Sequence, residues 1–378
     1  MTYQLVELSE TRAYDAIWRR FAQFQDTQRS ADKLISERQL PQSQKQNVRK
    51  QMQQLAYSVT QAKEFSDAAR AGGDTTRALL AYYSITALAN AEILWRGTGN
   101  DSFERRPSHF NGHGLELARN LSLWDFAARP LRRVDGSVSG LFGLWHRFAS
   151  HFPIYCSWTT QGVTSQTSLR SGIAGTPLNT IALPHRPITL GECLKHIPAM
   201  QHALFAYGTQ PALARGFNRL MSHLDNAGIE TSREIEFIIH PTQQAVFEDV
   251  IENFKFSPAM ISNVVTRGMN GGTGISIKIS HDVTEPPWQD WSAPASFFER
   301  RDLYYMVGEG AFLNEFGYFY VGLYIVGMIS RYYPQSWIHE LREGSYITSL
   351  IHEFVDYSLH RVPMLVLGQL ERTIFLYN

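Results

Sequence analysis

The segment TTRALLAYYSITALANAEILWRG, residues 75–97, restricts the possible folds of this chain most strongly. Leu80, Tyr83, Ala87, Ala91 and Leu94 recur at the spacing of one helical face. Ala78, Ala81, Ala87, Ala89 and Ala91 carry so little side chain that a second helix can approach the backbone closely. Gly72-Gly73 ends the preceding helix, Asp74 or Thr75 is the expected N-cap, and Gly97 closes the segment.

Other segments supply partners for such a helix. Tyr14, Ile17, Trp18, Phe21 and Phe24 mark a helix within residues 11–30. Residues 31–54 are polar and rich in Gln, Lys and Arg, and Pro41 separates two helices or marks a loop. A further helix covers about 52–70. The stretch GYFYVGLYIVGMIS, residues 317–330, stops at Arg331. It is shorter than the run of about 20 apolar residues that spans a bilayer, so it reads as a buried core helix. SYITSLIHEFVDYSLHRV reads as helix, and so does ASFFERRDLYYMV. LELARNLSLWDFAA is expected to be a short helix beginning just after His113-Gly114 and ended by Pro130.

The composition changes after about residue 155, where Ser, Thr and Gly accumulate in loop and strand. REIEFIIH, residues 233–240, alternates like a strand, and TQQAVFEDVIENF reads as a helix. SNVVTRGMNGGTGISIKISHD reads as a hairpin. Its glycine cluster lacks the Lys-Ser/Thr pair and the following helix of a P-loop, so positive-φ turn glycines explain it better than nucleotide binding.

The 35 basic and 35 acidic residues cancel, so a nucleic-acid site would have to be a local patch. Cys156 and Cys193 form neither a disulfide framework nor a zinc knuckle and are expected to be free buried thiols. Residues 1–21 lack the apolar core of a signal peptide, which predicts a cytoplasmic protein without membrane contact. The 13 histidines include no HExxH and there is no CxxC, so neither a metal nor another cofactor is expected. No GxSxG elbow is present.

The polar loop RRPSHFNGHG, residues 105–114, holds the remaining chemistry. A metal-independent ribonuclease needs a histidine to move a proton and an arginine to hold the charged transition state. Arg106 with His113 is the candidate pair, with Arg105 and His109 as alternates. Arg147 is a further candidate contact. Tyr82 and Tyr83 could order the loop or stack on a base. The competing structural explanation is that the arginines are solvated and His113-Gly114 caps a helix start.

ALLAYYSITALANAEILW followed by HGL resembles the YaaC-like family, with Tyr82, Tyr83, Leu88, Ala91, His113 and Gly114 carrying the likeness. GLF at 140–142 and LGECLKHIPAM resemble further family segments. So do HRVPMLVL and LYIVGMISRYYPQSW, the latter through Leu323, Tyr324, Met328, Arg331, Tyr332 and Trp337. The resemblance implies a mainly α fold with a smaller β-containing middle region, built on a HEPN-like helical bundle core. The expected organisation is an N-terminal helical region (1–70), the HEPN-like core (71–155), a mixed α/β region (156–295) and a C-terminal helical region packed on the core (296–378). Many HEPN domains are ribonucleases of prokaryotic stress or anti-phage defence, usually working as dimers. Pro107 departs from their motif, which has a polar residue after the arginine. The resemblance therefore implies RNA as a partner and a homodimer. The alternative is a non-catalytic scaffold within a protein complex, in which Tyr304, Tyr305, Tyr318, Tyr320 and Tyr324 would be interface or core.

Overall fold

Gly72 and Gly73 turn the chain between two long helices, because a Cβ at Gly72 would lie 2.9 Å from the Ala68 carbonyl oxygen. The computed structural model describes residues 2–8, 13–151, 154–161, 166–174, 176–210, 212–240, 261–269, 272–282, 296–299, 302–306 and 312–377. Helices α1 (Ala13–Phe21), α2 (Thr27–Arg38), α3 (Lys45–Ala71), α4 (Asp74–Arg96) and α5 (Gly140–Phe148) fill the first part of the chain. Short helices α6 (Leu190–Lys195) and α7 (Met200–Ala206) follow. Then come α8 (Glu315–Tyr332), α9 (Pro334–Glu343) and α10 (Tyr346–Glu371). The fold is mainly α with a smaller β component.

The antiparallel α3–α4 hairpin is tied along its length. Ser84 Oγ donates to the Ala62 carbonyl at 2.8 Å at mid-length, and Gln51 Nε2 donates to the Leu94 carbonyl at the open end. Gly73 occupies the N-cap of α4 with no side-chain bond. The expected capping residue Asp74 is instead the first helical residue, where its carboxylate faces the positive helix end. Ala78, Ala81, Tyr82, Ile85, Leu88 and Leu94 of α4 are all buried. The small residues work on both sides of the contact with α8, since a Cβ at Gly327 would lie 3.1 Å from Tyr82 Cβ. Helix α8 is buried from Glu315 to Ile329, as its apolar run predicts. Tyr318, Tyr320 and Tyr324 are core. Cys193 is a buried free thiol, and desolvation pushes its pKa up. No helix among the described residues is long and apolar enough to cross a membrane.

Strands β1 (Thr2–Leu8), β2 (Leu115–Ala118) and β3 (Ala127–Pro130) lie in the first part of the chain. They are followed by β4 (Ser150–His151), β5 (Ile154–Gln161), β6 (Gln166–Ala174), β7 (Thr176–Pro177) and β8 (Ile188–Thr189). Next are β9 (Leu213–Leu224), β10 (Glu230–His240), β11 (Ile261–Met269) and β12 (Gly272–Asp282). The last are β13 (Ser296–Glu299), β14 (Asp302–Met306) and β15 (Thr373–Tyr377). A six-stranded sheet has the order β11-β12-β10-β9-β14-β13, and a four-stranded sheet the order β15-β1-β6-β5. β2-β3-β8 make a small antiparallel sheet, and β4 pairs with β7. The β10 strand and the β11–β12 hairpin match the alternation in the sequence. The expected helix in TQQAVFEDVIENF lies outside the described residues.

Two expected helices are strands. LELARNLSLWDFAA contains β2, a 3-10 turn at Leu123–Asp125 and the start of β3. Leu115 pairs with Pro130 and Ala118 with Ala127. His113-Gly114 therefore precedes a strand and caps no helix. ASFFERRDLYYMV contains the β13–β14 hairpin, whose second strand adds to β9. In both cases hydrogen bonds to residues distant in sequence override a local pattern compatible with helix.

Candidate functional site

The loop after α4 is held by polar side chains that the sequence hides in a glutamine-rich stretch. Arg38 donates to the Trp95 carbonyl at 2.8 Å and the Gly97 carbonyl at 2.9 Å, satisfying the end of α4. Gln51 Oε1 accepts from the Gly99 amide at 3.1 Å, and Gln54 Oε1 from the Phe103 amide at 2.9 Å. Gln51 and Gln54 are buried, so they supply partners that the loop backbone needs away from water.

Arg106 belongs to this scaffolding. Its Nε donates to the Asp101 carbonyl at 3.1 Å, its Nη1 bonds Asn90 Oδ1, and its guanidinium lies 4.7 Å from the Phe103 ring centre. Burial lowers its pKa to about 10, which leaves it charged at neutral pH. Arg105 is exposed and donates to Asn100 Oδ1 at 3.1 Å. His109 and Arg147 meet at buried Phe110, whose ring is 4.1 Å from the His109 ring and 5.1 Å from the Arg147 guanidinium.

The segment 112–114 is stapled at a different place. The Leu141 amide donates to the Gly112 carbonyl at 2.9 Å and the Phe142 amide to the His113 carbonyl at 3.1 Å, so the start of α5 grips the loop. The Leu131 amide donates to the Gly114 carbonyl at 2.9 Å. Gly114 and Gly140 both have positive φ and touch backbone to backbone. A Cβ at Gly140 would fall 2.2 Å from Gly114 Cα, which only glycine permits. This contact explains why His-Gly and Gly-Leu-Phe occur together in the chain.

The grip presents His113 to Tyr82 and Tyr324. Its Nδ1 is 2.7 Å from the Tyr82 hydroxyl, and its ring centre is 5.6 Å from that of Tyr82 and 6.0 Å from that of Tyr324. Tyr324 donates to the Leu115 carbonyl at 2.8 Å and fixes the start of β2. Tyr82 is fully buried and burial drives its pKa far up, so its hydroxyl keeps its proton. An Nδ1–H donating to the Tyr82 hydroxyl oxygen leaves the imidazole lone pair on Nε2. Arg331, exposed at the end of α8, donates to the Tyr83 hydroxyl at 3.1 Å. Desolvation first, then the charge of Arg331, holds the His113 pKa below its ordinary value. The imidazole is therefore neutral at pH 7.

Two candidate residues are thus kept apart. Arg106 is anchored at Asn90 and His113 at Tyr82, eight residues along α4, or about 12 Å of helix rise. The structure instead brings Arg331, Tyr82, Tyr83, Tyr324 and His113 to one half-buried corner. In the sequence Arg331 stands out only as the end of the apolar run 317–330 and as part of the family resemblance. Among the described residues, no three His, Cys, Asp or Glu side chains group to hold a metal ion. A family model described as YaaC-like Protein matches residues 19–370. Neither the curated proteins nor the solved structures contain a match.

Proposed function

The chain belongs to the YaaC-like protein family, and from that premise we propose that it acts on RNA at the His113 corner. In this proposal the α4–loop–His113 unit is a HEPN-like module of prokaryotic stress or anti-phage defence, working in the cytoplasm as a homodimer. The supporting observation is the 2.7 Å contact of Tyr82 with His113 beside an exposed arginine that already touches Tyr83. Arg331 binds a phosphodiester and stabilises the added negative charge of its transition state. His113 Nε2 takes the proton of the ribose 2′-hydroxyl as that oxygen attacks phosphorus. The bond from phosphorus to the 5′-oxygen breaks, and the leaving oxygen takes a proton from water. Tyr83 orients Arg331, and Tyr82 fixes the imidazole tautomer.

The second reading is a non-catalytic scaffold, favoured by the α5 amides that bind the Gly112 and His113 carbonyls. Purified protein incubated with single-stranded RNA separates the two. His113→Ala and Arg331→Ala should each reduce cleavage by about 100-fold or more, the scale of a lost general base or charge donor. Circular dichroism should stay unchanged. Intact RNA after incubation with wild-type protein, together with a lowered melting temperature for His113→Ala, selects the scaffold.

A further inference from the structure

A second polar surface lies away from the His113 corner. The first half of α3 and the loop after α4 enclose an open cleft of about 550 Å³. Arg49 and Lys50 line it from α3, Arg105 from the loop, and Gln46 and Gln53 add amide groups. Glu104 is the one acid on the lining, and it is already bound by Lys50 at 2.9 Å and Gln54 at 2.8 Å. From Gln39 to Lys63 the sequence contains Lys45, Arg49, Lys50 and Lys63 and no Asp or Glu. A chain of zero net charge therefore carries a local cationic strip here.

Charge alone would suit any polyanion, but two aromatic residues narrow the choice. Gln46, Arg49, Gln53 and Tyr57 share one face of α3 by their spacing of three and four. Tyr57 is 70% exposed, and neither it nor Arg49 has a hydrogen bond, ion pair or ring contact among the described residues. Phe103, 43% exposed, is bound through its amide to Gln54, so it flanks the turn of α3 that carries Gln53 and Tyr57. Exposed aromatic faces stack on unpaired bases, and amides pair with base edges, so aromatics interleaved with cations and amides suit an unpaired strand. Arg49 and Tyr57 are about 12 Å apart along the helix. At about 3.4 Å per nucleotide of a stacked strand, that is three to four nucleotides.

We propose that this cleft holds a single-stranded nucleic acid, with phosphates on Arg49 and Arg105 and bases on Tyr57 and Phe103. The site is separate from His113 and takes from the proposed function only RNA as its first probe.

Fluorescence anisotropy with full-length protein and a labelled strand of about 12 nucleotides tests it across a salt series. Arg49→Ala and Arg105→Ala should each weaken binding and flatten the log–log salt dependence by about 0.7, the release from one neutralised phosphate of a single strand. Tyr57→Ala should weaken binding by about ten-fold with the salt slope unchanged, the signature of lost stacking. Arg49→Lys should restore the slope. A DNA strand of the same sequence shares the required chemistry, and the tighter of the two identifies the natural sugar. Blunt duplex or polyglutamate binding as tightly as the single strand, or a neutral Tyr57→Ala, overturns the proposal. If the cleft variants bind normally while wild type cleaves RNA, the cleft fails and the His113 assignment survives. Strand binding at the cleft with no cleavage by wild type gives the reverse.

Discussion

His146 shows how one buried imidazole makes stability depend on pH. It lies in the last turn of α5, 8% exposed, with its ring 6.5 Å from that of Phe142. Burial, then the charge of Arg132, lowers its pKa to about 4. In the unfolded chain the same group titrates near its ordinary value of about 6.5. Below that value the unfolded state takes a proton that the folded state refuses. The stabilising contribution is therefore fully present above about pH 6.5 and is lost as pH falls toward about 4. The loss is of the order of 3 kcal/mol. Urea midpoints measured near pH 7 and about pH 4.5 should fall less for His146→Phe than for wild type. Equal falls would show that other groups carry the acid sensitivity. His113 shifts in the same direction, so a neutral imidazole serves both the packing and the proposed proton transfer.

At the scale of elements, the α8–α10 contact is fixed by a buried ion pair. Arg361 Nε and Nη2 donate to the two Glu315 oxygens at 2.9 and 2.8 Å, with the side chains 3% and 5% exposed. Glu315 is in the first turn of α8, where a carboxylate also meets the positive helix end. Removing one partner takes from the other buried charge its bidentate counter-charge. Glu315→Ala should therefore cost about 3–5 kcal/mol in chemical denaturation, while Glu315→Leu with Arg361→Met should recover most of the loss. A double variant as unstable as the single would mean that packing volume, and not the lost counter-charge, sets the cost. The element pattern was legible where periodicity is long. The glycine pair, the alanine-rich α4 and the apolar α8 stand where their sequences place them. Strands β2 and β3 have four residues each, too few to show an alternation against apolar positions that also suit a helix.

Across the whole molecule, the two ends of the described chain meet. β1 and β15 pair in parallel from Gln4 with Thr373 to Leu8 with Tyr377. Arg372 adopts a left-handed conformation that turns α10 into β15. Phe375 is 2% exposed, with the Arg20 guanidinium 5.3 Å from its ring centre. Phe375→Ala should cost about 3 kcal/mol, typical of a truncated core aromatic, and should speed limited proteolysis within residues 2–21. Unchanged N-terminal protection in that variant would separate the two strands energetically. The candidate corner is likewise assembled over distance, since Arg331 and Tyr83 are 248 residues apart.

What the sequence by itself determined is the set of helices whose apolar and small residues repeat over many turns, because that periodicity is a local property of the chain. It also identified the Tyr82-Tyr83 and His113-Gly114 pieces through their family pattern. Only the tertiary structure decided that Arg106 is a loop brace and that Arg331 is the cation beside His113. It also decided that Arg105 faces a cationic cleft with Arg49. Those partnerships depend on which surfaces meet after packing, and spacing along the chain carries no record of that.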